Sequence, residues 1–238
     1  MLQYIKNQNV LFLDIETVPQ AYRFEELSPR VQELFDAKTK FQQKEDVTAK
    51  DLYKKAGIFA EFGKIICISA GHIVFENEKN SLRIKSFYGD DEKKLLQDFS
   101  VMLQRSFNGK EHLLCAHNGK EFDFPWLCRR MLVNGIKIPS ILDIQGMKPW
   151  EVRHIDTMEL WKFGDYKHFT SLELLAEIFG IPSPKDDIKG SDVSRVYYEE
   201  KNLEKIVTYC QKDVVALTQL FMRFKGEPLM ENSDICIV

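Results

Sequence analysis

The chain has 238 residues, 44% hydrophobic and 29% charged, the balance of a globular chain rather than a disordered or fibrous one. Its 33 basic and 36 acidic residues leave a formal charge of −3, which excludes attachment to nucleic acid or anionic lipid by bulk charge alone but not a local, brief encounter. No apolar run approaches the roughly 18 residues of a membrane span, and MLQYIKNQNV lacks the basic-then-apolar order of a secretory signal, so a cytoplasmic location without a membrane partner is expected. Cys67, Cys115, Cys128, Cys210 and Cys236 form no C-x-x-C pair, which disfavours a disulfide framework or a thiolate zinc site.

In chain order, short Val/Ile/Leu/Phe-rich runs predict strands over 9–15, 64–73, 82–88 and 112–117. The polar stretch 20–61 predicts a helical insertion over one end of the sheet. Leu95, Phe99, Met102, Leu103 and Phe107 recur at helical spacing and predict an amphipathic helix over 90–107. After the turn Asn118-Gly119, Phe124-Pro125 opens a second helix that stops at Asn134-Gly135. Thr170-Ser171-Leu172-Glu173 fits a capping box for a helix ending at Gly180. Leu203, Ile206, Val207, Cys210, Val214, Leu217 and Phe221 mark the buried stripe of a last helix over 199–224. The pattern predicts a single α/β domain over 1–238, with the insertion at 20–61 and a weakly ordered tail at 226–238.

The acidic residues carry the chemistry. Within Leu11-Phe12-Leu13-Asp14-Ile15-Glu16-Thr17, strand alternation puts Asp14 and Glu16 on one face. Two carboxylates so placed repel each other and lose hydration unless a cation offsets them, and hard oxygen donors suit Mg²⁺ or Mn²⁺. An exposed strand end with two ordinary acids is the plainer alternative. Asp123 follows Asn118-Gly-Lys-Glu-Phe122 at a strand-to-helix turn, where a helix dipole favours its ionised form and a simple N-cap is the alternative. Phe122 reads equally as core or as a base-stacking surface. Tyr209 and Asp213 share one helix face a turn apart, beside the apolar stripe, and taken singly would be a packing pair.

Together, the Asp-x-Glu strand, the Asn-x₃-Phe-Asp turn and the Tyr-x₃-Asp helix resemble the DEDD superfamily of 3′–5′ exonucleases, in its tyrosine (DEDDy) subgroup. Within it, the chain resembles the freestanding predicted exonucleases related to the proofreading domain of family B DNA polymerases, over about 10–224. The position a histidine would hold in the sister subgroup is Thr208. The resemblance implies an RNase H-like α/β fold, a three-layer arrangement with a mixed five-stranded sheet of order 3-2-1-4-5, strand 2 antiparallel, flanked by helices. It further implies catalytic residues Asp14, Glu16, Asp123, Tyr209 and Asp213, with the four carboxylates holding two Mg²⁺ or Mn²⁺ ions. Phosphodiester bonds at nucleic-acid 3′ ends would be hydrolysed by a two-metal mechanism to nucleoside 5′-monophosphates. Single-stranded DNA is favoured over RNA as the partner, and no protein partner is evident.

Thr17, Asn118, Phe122 and Lys189 are candidate substrate contacts. Asp156, in Asp156-Thr157-Met158, is a supporting acid or a structural cap. Lys189 would act from a loop over 185–194 that could close on a strand end or be a solvated connection. Lys120, Arg129, Arg130, Lys162, Lys167 and His168 could neutralise phosphates or simply be solvated. The remaining histidines show no ligand spacing. The alternative functions are a catalytically inactive nucleic-acid-binding module of the same fold, an RNA-directed exonuclease, and an endonuclease of RNase H type.

Overall fold

The structure, a computed structural model, describes residues 2–76, 78–165, 169–182 and 188–238. Its sheet comprises β1 (Val10–Pro19), β2 (Gly63–Glu76), β3 (Lys79–Tyr88), β4 (Leu113–Ala116), β5 (Ile155–Asp156) and β6 (Ile235–Ile237), in the order β5-β4-β1-β2-β3-β6. β1 pairs antiparallel with β2 and parallel with β4, so the strand carrying Asp14 and Glu16 is central. β3 is antiparallel to β2, and β5 is parallel to β4.

The five-stranded expectation is corrected by one strand. β6, from the C-terminal stretch left outside the sheet by the sequence reading, pairs parallel with Leu82–Ile84 of β3. Ile-Cys-Ile is too short a run to announce itself as a strand, and the exposed edge of β3 supplies what it lacks.

Eight helices are α1 (Pro29–Thr39), α2 (Ala49–Tyr53), α3 (Glu92–Ser106), α4 (Asp123–Val133), α5 (Thr157–Lys162), α6 (Leu172–Ile178), α7 (Val193–Arg195) and α8 (Leu203–Lys225), counted among the described residues. On one sheet face, Leu11, Leu13 and Ile15 pack with Ile65 and Ile68 against Leu96 and Phe99 of α3 and Trp126 and Leu127 of α4. On the other, Val10 and Phe12 meet Val214, Leu217 and Phe221 of α8. At Gly71, an added Cβ would lie 2.7 Å from a Val214 methyl, so the glycine lets α8 settle on β2.

A β-bulge opposite the Glu16–Thr17 step pairs Glu16 with Cys67 and Thr17 with Ile65. The extra residue, Ile66, joins Val18 and Ile206 on the α8 side, while Ile65 and Ile68 stay on the α3 side. A buried polar knot fixes this corner: Glu92 accepts hydrogen bonds from the Ile65 N–H and from the Arg130 guanidinium at 2.9 and 2.6 Å. Arg130 also donates to the Ala60 carbonyl, and its burial corrects both readings open for it, a phosphate contact and a solvated helix face.

Two helix starts also differ from expectation. α6 is capped by Ser171, whose hydroxyl accepts from the Leu174 N–H, one residue beyond the capping box read at Thr170. α8 starts at Leu203 rather than near Glu199: Val196–Glu200 forms a π-turn, Lys201 turns left-handed at φ 51°, and the Asn202 side chain restarts the helix by accepting from the Lys205 N–H.

Between β1 and β2, α1 and α2 enclose a small aromatic core of Phe35, Tyr53 and Phe62. Its rings meet edge-on, with centroids 5.2 Å apart for Phe35–Tyr53 and 5.0 Å for Phe35–Phe62. Among the described residues no helix is long and apolar enough to cross a membrane.

Candidate active site

β1 alternation sends Asp14 and Glu16 to the α8 face, just past the point where pairing with β4 ends at Phe12. α8 brings Tyr209 and Asp213 over them, and α4 brings Asp123 from beyond β4. Burial, then the charges of Glu16, Asp213 and Asp123, push the Asp14 carboxyl well above the usual carboxylate range. The same forces, led by burial and Asp213, raise Glu16. Asp123 is pushed up to about 7 by burial, helped by the charge of Asp156 and partly offset by its own N–H and that of Ile15. Burial and the surrounding carboxylates hold the Tyr209 phenol well above its ordinary value, and its hydroxyl bonds to Asp213.

Asp14 Oδ2 is buried without a hydrogen-bond partner. Ligand atoms of Asp14, Glu16 and Cys210 lie within 4.8 Å of one another. The Cys210 thiol donates to the Asp14 carbonyl, and burial keeps its proton on. The free donors are therefore hard carboxylate oxygens, a set that fits a divalent cation of the Mg²⁺ or Mn²⁺ kind.

The turn into α4 is organised by Asp156. Its carboxylate accepts from the N–H groups of Asn118 and Lys120 at 3.0 and 3.1 Å, and caps α5 through Met158 and Glu159 at 3.0 and 3.3 Å. Asp156 is thus both cap and support, the two readings open at the sequence level. Asn118 is held left-handed at φ 62°, and its carbonyl accepts from the Glu121 and Phe122 N–H groups. Gly119 is required there, since a Cβ would sit 2.3 Å from that of Ala116. Asp123 is the first residue of α4, and the N-cap position falls to Phe122, whose side chain makes no capping bond.

The candidate substrate residues are placed differently. Asn118 Oδ1 is buried without a partner, at the mouth of the turn leading to Asp123. The Thr17 hydroxyl donates to the Gly57 carbonyl at 2.7 Å, tying β1 to the insertion. Phe122 packs on the core beside Trp126, ring centroids 5.9 Å apart. Lys189 is exposed at the start of a short 3₁₀ turn, outside the carboxylate group. Lys120 pairs with Glu159, and Lys162 sits over the Phe169 ring. Lys167 and His168, and 183–187 of the loop before Lys189, lie outside the described residues.

Sequence reasoning passed over Cys210 as more than core and Gly119 as more than a turn residue. The signal for the first was its place between Tyr209 and Asp213; for the second, it was the strand-turn-helix context.

The family described as "Predicted 3'-5' exonuclease related to the exonuclease domain of PolB" matches residues 58–230, which include Asp123, Tyr209 and Asp213. Among solved structures, a family B DNA polymerase from the hyperthermophilic archaeon Pyrobaculum calidifontis is similar in fold, with a TM-score of 0.55 and 16% identity. The likeness covers 90% of this chain and 24% of the polymerase, so the chain spans about a quarter of that protein's length. Nucleic acid is the substrate class that family membership implies. With most of its length matched, the chain belongs to the family of predicted 3′–5′ exonucleases related to the PolB exonuclease domain.

Proposed function

We propose that the chain removes nucleotides one at a time from 3′ ends, with single-stranded DNA favoured over RNA, releasing nucleoside 5′-monophosphates, and that it is of the tyrosine subgroup. Asp14, Glu16, Asp123 and Asp213 would hold two divalent cations. When bound, such ions lower the pKa of water, neutralise the scissile phosphate and stabilise the leaving oxygen.

The chain's own groups do the rest. Asp14, central on β1, would hold the cations together with Glu16, Asp213 and Asp123, whose carboxylates surround it. Tyr209 keeps its proton at neutral pH, so its hydroxyl orients the attacking water by hydrogen bonding instead of acting as a base. Asp156 positions Asn118 and the turn to Asp123. Asn118 Oδ1, which needs a donor, is suited to the terminal nucleotide.

The observation that carries this reading is the unpartnered, buried Asp14 Oδ2 among three further carboxylates. An unpaired acid in that setting is costly unless a cation joins it. The test is incubation of 5′-labelled single-stranded DNA, RNA and recessed duplex with Mg²⁺ or Mn²⁺. A descending ladder is expected, lost in Asp14→Ala and Asp213→Ala. A ladder undiminished in both variants would overturn the assignment.

A further inference from the structure

A groove of about 760 Å³ opens between the insertion and the α7 turn, and Pro19, the last residue of β1, lines it. Pro19 lies three residues past Glu16, roughly 10 Å along the strand. The groove therefore begins about where a polymer would run after placing its end at the carboxylates. Its wall carries four cations, Arg23, Lys50, Lys54 and Arg195, against the carboxylates of Glu25, Glu26 and Glu199. Of the four, Arg195 is paired with Glu200 and Asp192, and Lys50 with Glu25.

The three acids are engaged. Glu25 pairs with Lys50, Glu26 accepts the N–H groups of Tyr22 and Arg23, and Glu199 accepts the Tyr22 hydroxyl. Arg23 and Lys54 remain exposed on the rim. Tyr22 stacks on Tyr198 at 5.1 Å, and Tyr198 meets Tyr197 edge-on at 4.9 Å. Tyr197 and Tyr198 pack on the cluster of Val18, Ile66 and Ile206, which Tyr209 also touches. The Tyr198 hydroxyl donates to the Pro19 carbonyl and ties these rings to β1. Cations along a groove with aromatic rings interleaved are what a single nucleic-acid strand requires, because phosphates need charge and bases need π-faces.

We propose that this insertion groove binds the stretch of single-stranded nucleic acid immediately upstream of the 3′ terminus, with Arg23 and Lys54 on phosphates and Tyr22 against a base. The inference rests on the exonuclease reading for the position of the 3′ end. It makes the insertion the element that sets how long a strand must be to bind well.

The test is fluorescence anisotropy with 5′-fluorescein dodecathymidylate and dithymidylate on the full chain, in Ca²⁺ in place of Mg²⁺, over a salt series. The long probe is expected to bind more tightly than the short one. In Arg23→Ala/Lys54→Ala, the slope of log affinity against log salt for the long probe should fall by about 1.4, the value for two lost phosphate contacts. Tyr22→Ala should weaken the long probe roughly tenfold. Lys79→Glu, at the β2–β3 hairpin, should change nothing, and unchanged thermal melts show that the variants fold.

Equal affinity for the two probes, an unchanged salt slope, or a polyglutamate peptide of like length binding as tightly as the oligonucleotide would overturn the proposal. A dodecamer that needs Arg23 and Lys54 to bind but is never shortened in Mg²⁺ or Mn²⁺ supports the groove while refuting the exonuclease reading.

Discussion

Glu92, which is buried, and Asp14, half-buried with one oxygen sealed off, show opposite solutions to one electrostatic problem. Glu92 opens α3 and is matched on every side: Arg130 meets both its oxygens, the Ile65 N–H shares one and the Asn134 amide the other. Asp14 has three carboxylates for neighbours and a buried oxygen with no partner. The first corner is complete within the fold and holds β2, α3, α4 and the insertion together. The second leaves that oxygen unmatched among like charges, the observation on which the proposed cation site rests.

Removing the negative charge should therefore have opposite consequences at the two sites. Glu92→Ala strands a buried guanidinium and should cost about 3–5 kcal/mol, read as a lower urea midpoint. Asp14→Asn removes repulsion and, in metal-free protein, should leave stability equal or higher while abolishing cleavage. A destabilisation by Asp14→Asn as large as that of Glu92→Ala would erase the contrast.

The pH dependence sharpens it further. Asp123 titrates near 7 in the folded chain against about 3.9 when unfolded, so between those values the folded state binds more protons. Metal-free protein should accordingly lose stability as pH rises from about 4 to about 7, by up to about 4 kcal/mol from this group. Asp14 and Glu16 act in the same direction. Added Mg²⁺ or Mn²⁺ should raise the melting temperature more at pH 8 than at pH 5; equal shifts would count against the carboxylates as the ligands.

Smaller effects should come from the supporting groups. Asp156→Ala leaves the Asn118 and Lys120 N–H groups unsatisfied and should cost about 2–3 kcal/mol, with a rise in the Mg²⁺ concentration needed for half-maximal cleavage. Tyr209→Phe removes one orienting hydrogen bond of about 1–1.5 kcal/mol and should lower kcat roughly tenfold at unchanged fold.

Much of the site was legible because its signals are local. Alternation placed Asp14 and Glu16 on one face of β1, and helical phase placed Tyr209 beside Asp213. Arg129 and Arg130 were not separable in this way, though they are adjacent in the chain. The helix turns about 100° between them, leaving Arg129 exposed and burying Arg130 against Glu92, 38 residues earlier. The start of α8 was similarly hidden, since the apolar stripe says nothing of a left-handed Lys201.

What the sequence by itself determined are the periods: which side chains share a strand or helix face, and so which acids stand together on one element. The tertiary structure decided which acids from different elements converge, which charge finds a partner, that Asp156 braces the turn to Asp123, and that the C-terminal residues add a sixth strand. The reason is physical. Periodicity is set by backbone geometry within a few residues, whereas desolvation and Coulombic contact depend on which distant segments are packed against each other.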